Sequence, residues 1–203
     1  KPSRIFPCSM GDLFHEKGPN EFIRRVWENM ALARHHRFLV LTKRPQRAVG
    51  LVSFADPEML YVARNNWPLP NVFLGVTVCN QEEADAKLPV LLSIPAAGHW
   101  VSVEPMLSGV SLAQLQVDKW TRYNALEGCG VATRGIGGQS VPNVSGNKLD
   151  WVVAACETGP GARPAHADWL RSLRDQCQPS GVPFFLKAVD AKRNHLLDGV
   201  AHR

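Results

Sequence analysis

Six apolar runs punctuate the chain: "RIFPCS" (4–9), "RFLVLT" (37–42), "NVFLGVTV" (71–78), "HWVSVE" (99–104), "DWVVAA" (150–155) and "VPFFLK" (182–187). They are continuous rather than strictly alternating. A strand wetted on one side alternates apolar with polar residues, and one covered on both sides does not, so these runs predict buried strands of a parallel sheet. The first is read as a strand in spite of Pro7. Between the runs lie helical patterns. After Asn20, a predicted N-cap, Phe22, Val26 and Met30 recur with helical spacing and predict one apolar face. "DPEMLYVARNN" opens with Asp56 as cap and Pro57 at the first helical position. "NQEEADAKLPVLL" opens with Asn80 and carries Glu82 and Glu83 in its first turn, where acids suit the helix dipole; Pro89 predicts a break or kink. "HADWLRSLRDQCQPSG" turns Trp169, Leu170 and Leu173 inward and ends near Gly181. Strand and helix alternate, so the predicted class is α/β with right-handed crossovers.

Residues 118–148 break this rhythm. Gly128, Gly130, Gly135, Gly137, Gly138 and Gly146 fall there with few apolar neighbours. The stretch predicts a long irregular insertion, a mobile excursion rather than a ligand lid. The whole of 1–203 is expected to form a single domain, a length that supports one sizeable core.

Charge and cysteine content narrow the chemistry. The net charge of +5 fits a nucleotide or small-molecule ligand. The basic residues occur singly or in pairs, with no block and no interleaving of arginine with aromatics, so nucleic acid is the weaker expectation. No apolar run approaches the ~20 residues of a membrane span, and no signal peptide opens the chain, so a cytoplasmic protein is expected. The first residue is Lys rather than Met, which suggests a processed or truncated piece. Cys8, Cys79, Cys129, Cys156 and Cys177 are widely spaced and contain no C-x-x-C pair. That spacing predicts no metal site, no cofactor held by this chain alone, and reduced thiols rather than a disulfide frame. His35 and His36 are adjacent and cannot face one site from a helix, so they read as structural or surface residues.

Candidate chemistry sits at the ends of the predicted strands. The first run leads to Ser9 and Asp12, the second to Thr42, Lys43 and Arg44, and the third holds Thr77. The fourth holds Ser102 and Glu104, the fifth leads to Glu157, and the sixth ends in Lys187. In parallel α/β folds ligands meet the carboxyl ends of the strands. Glu104, Glu157, Lys43 and Lys187 are therefore expected to converge on one mouth. After the fifth run comes "ETGPGARP" (157–164). It lacks the Lys-Ser/Thr of a phosphate-cradling loop and the central serine of a nucleophile elbow. Gly159 and Gly161 permit a sharp turn with positive φ, and Pro160 and Pro164 stiffen it. Such a turn would present Glu157 to the mouth, with Arg163 paired to it or holding an anion at the next helix N-terminus.

Taken together, "CSMGDLFHE", "LVLTKRP", "NVFLGVTVCNQEEAD", "VSVEPML", "LDWVVAACETGPGARPAHADWLRSLRDQC" and "PFFLK" resemble an uncharacterised phage-associated family with a three-cysteine amino-terminal motif. That family is related to radical S-adenosylmethionine enzymes, with spore photoproduct lyase a distant cousin. The resemblance covers nearly the whole chain except 118–148. It implies a partial TIM-like (β/α) barrel of about six parallel strands, with the first strand of the family barrel missing. It also implies an iron–sulfur cluster on a C-x3-C-x2-C segment, S-adenosylmethionine on its open iron, and a 5′-deoxyadenosyl radical. That segment is expected upstream of Lys1, and Cys8 is not one of its ligands by position. Where the family has paired glycines this chain has Ala155 and Cys156, and where it has Gln-Trp-Gly this chain has Ala188, Val189 and Asp190. Three readings follow. The first is a radical S-adenosylmethionine-like enzyme without its cluster segment, in which Glu104, Glu157, Lys43 and Lys187 bind cofactor or substrate. The second is a non-catalytic barrel that binds a nucleotide or a protein partner. The third, a hydrolase using Glu104 and Glu157 as acid and base, lacks an evident nucleophile. A barrel short of a strand also exposes a sheet edge, which predicts a homodimer through that edge.

Overall fold

Val72, Leu74, Val76 and Val78 are buried at every second position of one strand, and that strand lies near the middle of the sheet. The computed structural model describes residues 1–52, 68–132 and 144–202. Its main sheet contains β1 (Arg4–Ile5), β2 (Arg37–Thr42), β3 (Val72–Val78), β4 (Gly98–Val103), β9 (Trp151–Ala155) and β10 (Phe184–Ala188), in the order β1-β2-β3-β4-β9-β10. Every neighbouring pair is parallel. The sheet curls into a half-barrel, in keeping with the parallel sheet that the apolar runs predict and the partial TIM-like barrel that the resemblance implies. All six runs become strands. The first is cut to two residues, because Pro7 has no N–H to donate and Cys8 turns the chain away with φ 56°.

Four helices among the described residues accompany the sheet: α1 (Asn20–Leu32), α2 (Pro45–Val52), α3 (Gln81–Ser93) and α4 (Ala167–Cys177). In α1 the buried residues are Ile23, Trp27 and Met30, while Phe22 is 52% exposed. The predicted face was therefore set one residue off: Ile23 and Trp27 lie on the same turns as Phe22 and Val26, and they reach the core. Pro19 holds the cap position instead of Asn20, whose side chain accepts from the Arg47 guanidinium at 2.8 Å. Helix α2, which no pattern above predicts, is a short element of eight residues with Pro45 at its start. The helix expected from Asp56 lies outside the described residues. In α3, Asn80 caps as predicted, accepting from the Glu83 N–H at 2.9 Å. Pro89 does not end α3: the helix continues to Ser93, with Leu88, Leu91 and Leu92 buried around the proline. In α4, Leu170, Leu173 and Cys177 are buried and Trp169 only half-buried.

The described residues of the glycine-rich segment form strands. With β5 (Leu115–Gln116), strands β6 (Thr121–Asn124), β7 (Cys129–Ala132) and β8 (Val144–Ser145) form an antiparallel sheet in sequence order. Two of its glycines make room for a ring. A Cβ on Gly130 would stand 2.9 Å from the Tyr123 ring, and one on Gly146 2.9 Å from its hydroxyl. That hydroxyl donates to the Asn147 carbonyl at 2.6 Å. Here the glycines serve packing. Residues 133–143, including Gly135, Gly137 and Gly138, lie outside the described residues. The short pair β11 (Leu196–Leu197) and β12 (Val200–Ala201) closes the fold.

Candidate functional site

The carboxyl ends of the parallel strands share one rim, and the polar residues there divide into two clefts. Beyond β1, β2 and β3 a cleft of about 470 Å³ is lined by Ser9, Asp12, Thr42, Lys43, Arg44 and Thr77. Beyond β4, β9 and β10 a larger one of about 640 Å³ is lined by Glu104, Cys156, Glu157, Lys187, Arg193 and His195, among others. Of the four residues expected to converge, Glu104, Glu157 and Lys187 meet in the larger cleft and Lys43 lines the other. The separation follows from strand order, because β3 stands between β2 and β4. Thr77 and Ser102, buried and in register on β3 and β4, lie between the two groups.

Asp12 organises the smaller cleft. Its carboxylate accepts from the Phe14 N–H at 2.9 Å, the Thr42 hydroxyl at 2.8 Å, the Lys43 N–H at 3.0 Å and the Arg44 guanidinium at 3.0 Å. Burial pushes the Asp12 carboxyl up, but these donors outweigh it and hold the group below its ordinary value. Thr42 in turn accepts from the Arg44 N–H at 2.9 Å. This cluster knits the loop after β1 to the end of β2, and its acceptors are saturated from within.

The larger cleft is less satisfied. Lys187 donates to one oxygen of Glu104 at 2.8 Å, which leaves the other, Oε1, buried without a partner among the described residues. A buried carboxylate oxygen without a donor costs free energy that a ligand N–H or O–H would recover. Arg163 folds back onto Glu157: its N–H donates at 2.9 Å, and its guanidinium at 2.7 Å and 3.1 Å. The Arg163 side chain thereby holds the Glu157 carboxyl down at about 2. The turn that allows this has Gly159 at φ 97° and Gly161 at φ 75°, a conformation that side chains resist. Cys156 donates its thiol to the Val189 carbonyl at 2.8 Å, and burial first, then Asp190, pushes its pKa up. Cys79 leans toward the Glu104 carbonyl at 3.7 Å; burial and then Glu83 push its thiol up.

Sequence reasoning missed the inner face of the half-barrel. Phe6, Trp100, Trp151 and Phe185 form a chain of ring contacts across it, with centroids 5.4 to 6.3 Å apart. The signal was present in "FLGVT" and "GHWVS", where glycine and an aromatic alternate two residues apart in opposite order on adjoining strands. Among the described residues no group of three or more His, Cys, Asp or Glu side chains could hold a metal ion, and no helix is long and apolar enough to cross a membrane.

No curated protein and no solved structure matches the sequence. A family model described as a protein of unknown function, DUF5131, matches residues 1–198. A match over that span places this protein in the DUF5131 family.

Proposed function

We propose that the chain is a ligand-binding half-barrel of the radical S-adenosylmethionine type, with S-adenosylmethionine or a like nucleoside amino acid bound in the larger cleft. The observation that carries this reading is Glu104: Lys187 fixes one of its oxygens and the other is buried with nothing to accept. An amino group or a ribose hydroxyl supplies the missing donor. Glu157 is already held by Arg163, which leaves Glu104 to receive the ligand's donor, while Arg193 at the same cleft suits the ligand's carboxylate. In this reading Lys187 is a positioning residue that orients Glu104.

The thiols do not fit an iron–sulfur cluster. Cys177 is buried inside α4, Cys156 is committed to Val189, and no three thiols gather among the described residues. The second reading, a non-catalytic barrel, is favoured by Cys156, whose side chain walls the cleft where the resemblance implies glycine. The in-frame coding sequence upstream of Lys1 separates the two: a C-x3-C-x2-C segment there supports the enzyme, and a start codon at the boundary supports the binder.

Binding itself is tested by isothermal titration with S-adenosylmethionine. The expected result is one saturable site, weakened about tenfold or more by Glu104→Gln, which keeps the shape and removes the charge. Absence of binding at millimolar ligand, or equal binding by the variant, would overturn the proposal.

A further inference from the structure

We propose a second binding site at the opposite, amino-terminal end of the strands, built to take a nucleotide: a planar base joined to a phosphate. Its floor comes from two crossed pairs on β3 and β4. Trp100 is in register with Gly75, and Phe73 with Gly98. A Cβ at Gly75 would lie 2.3 to 2.5 Å from three atoms of the Trp100 indole. Such nearly equal distances mean that the ring lies flat over the strand. A Cβ at Gly98 would likewise meet the Phe73 ring at 2.6 Å. Each glycine gives up its side chain so that an aromatic face can lie down on the sheet. Trp151, in register with Trp100 on β9, extends the layer, with ring centroids 5.4 Å apart. Helices cover the other face of the sheet, whereas this one opens into a cavity of about 180 Å³, the scale of a single ring system.

The ends of the cavity carry opposite charges. On one flank Arg4 and Arg37 occupy the same register position on β1 and β2 and line the same cavity. Neither side chain makes an ion pair or hydrogen bond among the described residues. Like charges side by side on neighbouring strands repel, and an anion between them removes that cost. Two guanidinium forks on one spot match phosphate geometry. On the far flank is Asp150, one oxygen of which accepts from the His99 N–H at 2.8 Å. Its other oxygen is placed to accept from a base amino or ring N–H. From β2 to β9 is three strand spacings, about 14 Å, a span that one nucleotide fills. The Trp100 Nε1 is buried against Gly75 beneath this layer and finds no acceptor among the described residues. Stacking on a fixed aromatic face is sequence-tolerant, so either a free mononucleotide or one nucleotide of a single strand satisfies this chemistry.

Isothermal titration of the full chain with guanosine 5′-monophosphate, guanosine, inorganic phosphate and a single-stranded hexanucleotide tests the site. The expected order is the monophosphate tighter than guanosine, and guanosine tighter than phosphate. Arg37→Gln and Arg4→Gln weaken the monophosphate about tenfold and leave guanosine unchanged. Trp151→Leu weakens both, and Trp151→Phe restores most of the loss, which separates stacking from a folding defect. A hexanucleotide tighter than the monophosphate identifies a strand as the source, and the reverse identifies a free nucleotide. Three results overturn the proposal. One is no saturable heat with the monophosphate at millimolar concentration. Another is phosphate binding as tightly as the monophosphate. The third is an affinity lost in Glu104→Gln but kept in Arg37→Gln, which moves the ligand to the other end of the strands.

Discussion

Asp12 carries four donors on two oxygens, and its value to the fold is set by charge rather than shape. Asp12→Asn keeps the outline but turns an amide N–H toward donors. Hydrogen bonds to a charged group contribute about 1.5–3 kcal/mol each, not additively, so the variant is expected to lose about 2–4 kcal/mol at neutral pH in urea unfolding. A loss under about 0.5 kcal/mol would show that the cluster does little for stability. Because the folded pKa of Asp12 is depressed, its contribution is complete above the ordinary carboxylate value and fades as the pH falls through the folded one. The variant's deficit should shrink with it. Glu157 behaves alike but sits in solvent, where an ion pair is worth little. Its contribution is expected to disappear between about 4.5 and about 2 as the solution is acidified. Thermal melts of wild type and Glu157→Gln should differ slightly at neutral pH and coincide at the acid end. A difference that persists there would mean that Arg163 is not the partner that matters.

Between elements, Asn71 is the clearest joint. From the start of β3 its buried amide donates to the carbonyls of Met30 at 2.9 Å, His36 at 3.2 Å and Ala33 at 3.4 Å. These include carbonyls at the end of α1, which the helix itself cannot satisfy. Asn71→Ala is expected to cost about 2 kcal/mol in chemical denaturation, with protection of the last turn of α1 lost first in hydrogen exchange. Full protection there would place the joint elsewhere. The strands were legible because burial on both faces writes a continuous apolar run. The α1 face was misread because Phe22 and Ile23 are both apolar and adjacent, and only packing chooses between them. Strands β6, β7 and β8 could not be read because Gly130 and Gly146, which admit Tyr123, look like glycines in a loop. At the site, the charges themselves could be read from their positions after strands. The Glu104–Lys187 pair, 83 residues apart in sequence, could not, since it depends on which strands are neighbours. Nor could the parting of Lys43 from the other three, for the same reason.

Across the whole molecule, stability is shared between a core under the helices and an open aromatic face. Cys177 reports on the first. It lies buried in α4, and burial pushes its thiol up to about 12, while the reactive form is the thiolate. Alkylation with iodoacetamide, mapped by mass spectrometry, should therefore reach Cys177 only as fast as the whole domain opens. Cys8, half-buried in the loop after β1, should react in the native state. Rapid native labelling of Cys177 would mean that α4 leaves the sheet as a separate unit.

The crossed glycine–aromatic pairs also constrain how sequences of this fold change over time. With Trp100 in place, any side chain at position 75 collides with the ring, and with Phe73 in place the same holds at position 98. Once the ring shrinks, that prohibition lifts. Substitutions at 73 and 98, and at 75 and 100, are thus expected to travel as couples through descent. A lineage that trades Trp100 for a small residue should show Gly75 drifting freely within the same branch.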